Sequence, residues 1–221
     1  MIDRLLATLA PHYCYNCAKA GTLLCDNCKY DITHDVPSGC ILCKSSITST
    51  GICDNCSVPY SRAWYAGERS GVLRQLIDGF KFRNIRSAYV PLAGILSEIV
   101  SELPTDTIVV PIPTVAAHIR ERGFDHSLLL AEEFARQRSL TCIPLLKRAV
   151  RSKQRGAGRE RRITQAQRAF RVNHTLASSP PYLLIDDVTT TGATLHYAAQ
   201  ALVDAGATVV WVAAVSRQTL D

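Results

Sequence analysis

YLLIDDVTTTGAT, Tyr182 to Thr194, is a short apolar run closed by two acids, a threonine cluster and a glycine. Tyr182, Leu183, Leu184 and Ile185 suffice for a buried strand, which the pattern ends at Asp186 and Asp187. Beyond the loop, Leu195, Ala198, Ala199 and Leu202 recur at helical spacing, and Gly206 suits a C-terminal cap. Val209–Val215 is a second apolar run of strand length. Strand, loop, helix and strand make a βαβ unit whose polar loop lies at the carboxyl end of the first strand. Unpaired N–H groups at a helix N-terminus favour a phosphate. The threonine hydroxyls add donors, and Gly192 lets the backbone approach closely. Two adjacent carboxylates suit neighbouring hydroxyls, such as those of a ribose. A phosphate beside a diol describes a ribose 5-phosphate. The chain has neither the Gly-Lys-Ser/Thr of a Walker A loop nor a GxGxxG fingerprint.

Working outward, 221 residues allow one large domain, or a medium domain with a small appendage. A hydrophobic share of 47% with only 12 Gly and 10 Pro indicates an ordinary globular core. The apolar runs are too short to span a membrane, so no membrane insertion is expected. The opening MIDRLLATLAPHYC lacks a basic start and a small-residue cleavage site, which argues against a secretory signal. A cytoplasmic location is the simplest expectation. The net charge of +6 is concentrated: residues 147–171 hold ten Lys or Arg and one acid, Glu160, while the remainder is slightly acidic. That segment points to a local anionic partner.

Eight of the nine cysteines form four C-x-x-C pairs: Cys14/Cys17, Cys25/Cys28, Cys40/Cys43 and Cys53/Cys56. Each knuckle turns two thiolates toward one ion, and tetrahedral zinc needs two knuckles, so four supply two Cys₄ sites. Pairing first with second and third with fourth is the expected arrangement; interleaved pairing is the alternative. Four regular pairs in so short a span favour zinc over a disulfide framework or a redox pair. Closed Cys₄ sites are structural, and so small a module depends on its metal for stability. Cys142 stands alone in a predicted strand as a packing residue.

Between these regions, Val58–Arg69 reads as a connecting strand. Val72, Leu73, Leu76, Ile77 and Phe80 form a helical stripe that runs into Lys81, Phe82 and Arg83. A second stripe, Leu92 to Leu103, ends at Pro104, and Thr107–Val110 follows as a buried strand. Pro111 and Pro113 fix a turn at that strand's carboxyl end, where α/β ligands bind. Arg120 and Arg122 can fork onto phosphate oxygens there, or form a solvated helix face. Asp125 caps a helix carrying Leu128, Ala131, Phe134 and Ala135, and Leu140–Leu146 is a further predicted strand. Lys147–Arg171, with Gly156 and Gly158, reads as a flexible basic loop. Such a loop suits a leaving pyrophosphate or a nucleic-acid backbone.

The segment from Asp186 to Thr194 resembles the phosphoribosyl-pyrophosphate (PRPP) motif of type I phosphoribosyltransferases. Four cysteine knuckles, Lys81-Phe82, VPIP (Val110–Pro113), ERGF (Glu121–Phe124), LKRAVRSKQ, Ala169-Phe170 and LIDDVTTTGAT occur in the order of the ComF family. The chain is identified by this resemblance as similar to that family of competence-associated phosphoribosyltransferase-like proteins with an N-terminal double zinc ribbon. The resemblance implies a type I phosphoribosyltransferase fold, a mostly parallel sheet flanked by helices, with a zinc-ribbon module at residues 1–58. Residues 59–221 would be the phosphoribosyltransferase-like domain, with its flexible loop at about 147–168. It also implies PRPP bound with Mg²⁺, single-stranded DNA as a partner, and a helicase-like translocase alongside in natural transformation.

Carried over by position, Asp186 and Asp187 would meet the ribose hydroxyls. Val188, Thr189, Thr190, Thr191, Gly192, Ala193 and Thr194 would cradle the 5-phosphate. Arg120, Arg122 and Lys81 would lie near the pyrophosphate, and with the two aspartates the arginines form the candidate catalytic set. Arg148, Lys153, Gln154 and Arg162 would belong to the loop, which Arg155, Arg159 and Arg161 make more basic than is usual. The family usually carries Asn eleven residues after the Gln matched by Gln154; here that position is Gln165. Three functions stay open: a phosphoribosyltransferase-like protein that binds PRPP and DNA, a non-catalytic zinc-ribbon adaptor joining DNA to a translocase, and a nucleotide-salvage enzyme. No general base or acceptor pocket is legible.

Overall fold

The computed structural model describes residues 12–36, 39–47, 50–148 and 169–218. Its centre is a five-stranded, wholly parallel sheet of β1 (Arg62–Glu68), β2 (Ile108–Pro111), β3 (Thr141–Cys142), β6 (Tyr182–Thr189) and β7 (Val210–Arg217). The strand order is β1-β7-β6-β2-β3. A separate antiparallel pair joins β4 (Lys147–Arg148) to β5 (Phe170–Arg171). The helices are α1 (Asp26–His34), α2 (Gly71–Phe82), α3 (Tyr89–Ile99), α4 (Ala116–Arg122), α5 (His126–Gln137) and α6 (Ala193–Asp204). Chain order moves outward from β2 to β3 on one side, and from β6 to β7 on the other. The reversal between β2 and β6 leaves a crevice at their carboxyl ends.

β6 is buried on both faces, so its side chains alternate between two cores. Leu183 and Ile185 pack with α2, α3 and α5 through Leu76, Ile77, Phe80, Leu92, Ile95 and Phe134, all fully buried. Tyr182 and Leu184 pack on the opposite side with Leu195, Ala198, Ala199 and Leu202 of α6. Each large apolar side chain so buried contributes about 1.5–3 kcal/mol. Helix α6 ends as its sequence suggests: Gly206 takes φ +113°, and the Ala207 N–H bonds back to the Leu202 carbonyl.

Three elements depart from their sequence patterns. Strand β6 continues through Asp186 and Asp187 to Thr189, because β7 pairs with it along that length. Helix α3 stops at Ile99, well before Pro104; the Arg138 guanidinium caps it by donating to the carbonyls of Ser97, Val100 and Ser101. Of Leu140–Leu146, only Thr141–Cys142 forms a strand, since Pro144 cannot continue an edge ladder. Burial pushes the Cys142 thiol up to about 11, in keeping with a packing role.

The cysteines gather sequentially. Cys14, Cys17, Cys25 and Cys28 form one set and Cys40, Cys43, Cys53 and Cys56 the other, the sulfurs of each lying within 4.8 Å of one another. Sulfur pairs at 3.6 Å (Cys17–Cys25) and 3.4 Å (Cys43–Cys53) approach the roughly 3.8 Å edge of a tetrahedron with zinc–sulfur bonds near 2.3 Å. All nine are free thiols. Both sets could hold metal ions and are consistent with zinc sites. The first set shares its core with α2 and α3, while Ile41 and Ile52 of the second join the α6 core. Among the described residues, no helix is long and apolar enough to cross a membrane.

Elemental analysis of purified protein is expected to return about two zinc ions per chain, with a strong chelator lowering the melting temperature. A single ion per chain would leave one cysteine set with another task.

Candidate functional site

Strand alternation separates the two acids that adjoin in sequence. Asp187 follows Leu183 and Ile185 onto the face covered by α2 and α5, and Asp186 turns the other way. There Lys81, in the last turn of α2, places Nζ 2.8 Å from Asp187 Oδ1. His126, the first residue of α5, brings Nε2 to 3.3 Å from Oδ2. Asp187 is only 2% exposed, yet no hydrogen bond of good geometry closes on Oδ2. A buried carboxylate oxygen with capacity to accept is an opening for a ligand hydroxyl.

His126 is held from behind. Arg122 Nη1 lies 2.8 Å from Nδ1 and 3.4 Å from Nε2, so the guanidinium rests against the imidazole and holds the ring toward Asp187. The ring also meets Phe80 edge to face, with centroids 6.0 Å apart. Asp125 Oδ1 accepts from the Leu128 N–H, capping α5 as the sequence indicates, and from the Thr114 hydroxyl at 2.6 Å. This cap fixes where His126 enters the crevice. The sequence signal for His126 was its position directly after a capping aspartate at the carboxyl end of β2.

Electrostatics treat the two acids oppositely. Burial, reinforced by the Asp187 charge, pushes the Asp186 carboxyl up to about 8. For Asp187 burial acts in the same direction, but the Lys81 charge and the His126 contact overcome it and hold the carboxyl well below the usual range. Asp186 Oδ1 accepts from the Asp187 N–H at 2.9 Å.

The Thr-rich loop follows directly. Thr189 is buried and its carbonyl accepts from the Gln218 N–H; Thr190 and Thr191 are exposed. Gly192, at φ +74°, is the N-cap of α6 and turns the first N–H groups of that helix toward the loop. A Cβ at Gly192 would lie 1.9 Å from Cδ2 of Leu42, between Cys40 and Cys43 of the second cysteine set. Arg217, at the end of β7, donates to the carbonyls of Cys40 and Leu42. The second knuckle pair therefore stands against the loop, a neighbour that no spacing in the sequence announces.

Of the other predicted residues, Arg122 enters the crevice through His126, whereas Arg120 is exposed on α4 and makes no ion pair among the described residues. Arg148 Nε donates to the Pro113 carbonyl at 2.7 Å, and its guanidinium lies 5.0 Å from the Phe170 ring, tying the start of the basic segment to the turn after β2. Lys153, Gln154, Arg155, Arg159, Arg161, Arg162 and Gln165 lie outside the described residues.

No family model matches the chain. It is similar to the competence protein ComFC of Bacillus subtilis (strain 168), with 27% identity over 196 residues that cover 83% of this chain and 79% of that protein. The likeness supports a ComF-family assignment. In this chain the Lys81–Asp187–His126 cluster and the Gly192 loop bring segments far apart in sequence together in space.

Two outcomes follow from the buried acids. Asp186 keeps a proton in the folded chain that the unfolded chain loses near pH 4, so its stabilisation is complete below about pH 4 and lost as the pH rises through about 8. Denaturant titrations from about pH 5 to about pH 9 should show Asp186→Asn removing that decline; an unaltered slope would mean an ionised Asp186. Asp187 works in reverse: its stabilisation is complete above the unfolded value near pH 4 and is lost progressively as acid drives the pH down toward its lowered folded value. Replacing Lys81 with Met strands that carboxylate and is expected to cost roughly 3 kcal/mol in the same titrations near neutral pH.

Proposed function

We propose that this protein binds PRPP with Mg²⁺ in the crevice between β2 and β6, binds single-stranded DNA beside it, and serves DNA uptake during natural transformation. The observation that carries the ligand reading is Asp187: a buried carboxylate, ionised by Lys81, with Oδ2 free to accept, one strand-end away from the Thr190–Thr194 loop. In this reading Asp187 receives the ribose hydroxyls, while Asp186, turned to the opposite face of β6, supports it by accepting from the Asp187 N–H. The N–H groups and hydroxyls of Thr189–Thr194 receive the 5-phosphate at the start of α6. Lys81, Arg122 and Arg120 serve the pyrophosphate side. Mg²⁺ would be held mainly by ligand oxygens and water and would supply charge neutralisation on the pyrophosphate.

Were the chain to transfer the phosphoribosyl group, its own residues would orient the sugar through Asp187, keep water from the crevice, and stabilise the departing charge with Lys81 and the arginines. The competence role is drawn from the name of the similar Bacillus protein and from the ordered motifs, and the DNA role from the basic segment at residues 147–171. The division into residues 1–58 and 59–221 belongs to the same proposal. A second reading, a non-catalytic adaptor joining DNA to a helicase-like translocase, is favoured by the Lys81–Asp187 pair, since Oδ1 is already engaged.

Calorimetric titration with PRPP and Mg²⁺ tests the ligand, with Asp187→Asn as the comparison. Binding by the wild type that weakens at least tenfold in the variant is the expected outcome. A wild-type chain that takes up no PRPP would overturn the assignment and leave the adaptor reading. Release of pyrophosphate in the presence of an acceptor would separate the enzyme from the adaptor.

A further inference from the structure

We infer that Phe82 and Arg122 form a stacking platform for a nucleobase at the mouth of the Asp187 crevice. The inference rests on the nucleotide-binding reading of that crevice and names the residues that would meet the base.

Phe82 is the last residue of α2, immediately after Lys81, and at 67% exposed it is the most exposed large hydrophobic residue among the described residues. A single surface phenylalanine is ordinary. This one is tied to the site. The Arg122 guanidinium lies 5.6 Å from its ring centroid, and the same guanidinium reaches His126, which contacts Asp187. Between His126 and the Phe82 ring the Arg122 guanidinium is held in place, with its Nε buried. Beneath the platform, Phe80 and Phe124 stack with centroids 5.5 Å apart, so the end of α2 and the turn before α5 are locked together.

The chemistry selects the occupant. An open aromatic face backed by a guanidinium suits a flat, polarizable ring with acceptor atoms at its edge. Cations adjoin it along the chain: Lys81, at the crevice, precedes it, and the exposed Arg83 and Arg86 follow. A planar ring attached to phosphate is a nucleotide, and aromatic stacking combined with a basic track is how single strands are held without sequence preference. A protein partner would use the exposed ring but would gain nothing from its place beside Lys81 and the Asp187 crevice.

The test compares a short oligothymidylate with an abasic phosphodiester oligomer of equal length, each titrated against the full chain. Wild type is expected to bind the base-bearing strand about tenfold more tightly, Phe82→Ala to lose that preference, and Phe82→Tyr to keep it. Because Phe82 is exposed, neither substitution disturbs a core. Thymidine monophosphate added as competitor distinguishes the source: displacement assigns the platform to a single nucleotide, and its absence to a base carried on a strand. Equal wild-type affinities for the two oligomers, or a preference that survives Phe82→Ala, would overturn the platform. Titration of the wild type with PRPP judges the crevice separately, so a failed platform leaves that reading standing.

Discussion

Asp187 is a carboxylate almost removed from water that stays ionised because Lys81 lies 2.8 Å away. Unpaired, a charge in that position would cost several kcal/mol, so everything that delivers Lys81 and His126 to it contributes to the fold as well as to the site. The buried stripe of α2 sets the direction in which Lys81 leaves the helix. The Asp125 cap sets where α5 begins, and so where His126 stands. Both helices pack on one face of the sheet, against Leu183 and Ile185, the residues whose alternation turns Asp187 to that same face.

Much of this was legible in sequence because spacing encodes it. The cysteine pairs had to converge for a metal, and they converge in the sequential order. The strand, loop, helix and strand from Tyr182 to Val215 follow from an apolar run, a helical stripe and Gly206. What stayed hidden depended on partners distant in the chain. Asp186 and Asp187 look like the end of a strand, and only the β7 ladder shows the strand continuing through them. The stop of α3 depends on Arg138, about forty residues on, in a segment that gives no local sign of capping anything. His126 carried a weak signal, since one histidine beside a cap has many ordinary explanations.

The two cysteine sets are not equivalent in what they support. The first joins the core beneath α2 and α3, on the side of Lys81. The second reaches the Thr-rich loop itself, through the Arg217 hydrogen bonds and the side chain of Leu42. Further ties run to β1: the Tyr65 hydroxyl donates to the Gly39 carbonyl, and the Ala63 N–H donates to Thr50. The first set thus supports the core under α2, and the second supports the Thr-rich loop.

The contact between Leu42 and Gly192 makes the two segments a matched pair. The glycine does not merely permit a turn; its missing side chain is a socket that the leucine fills. A side chain at Gly192 would be strained by the φ of +74° and would also displace the tip of Leu42. The glycine is therefore held by two constraints at once, its own backbone and the knuckle across from it, and a ribbon carrying a residue larger than Leu42 would press on the loop itself.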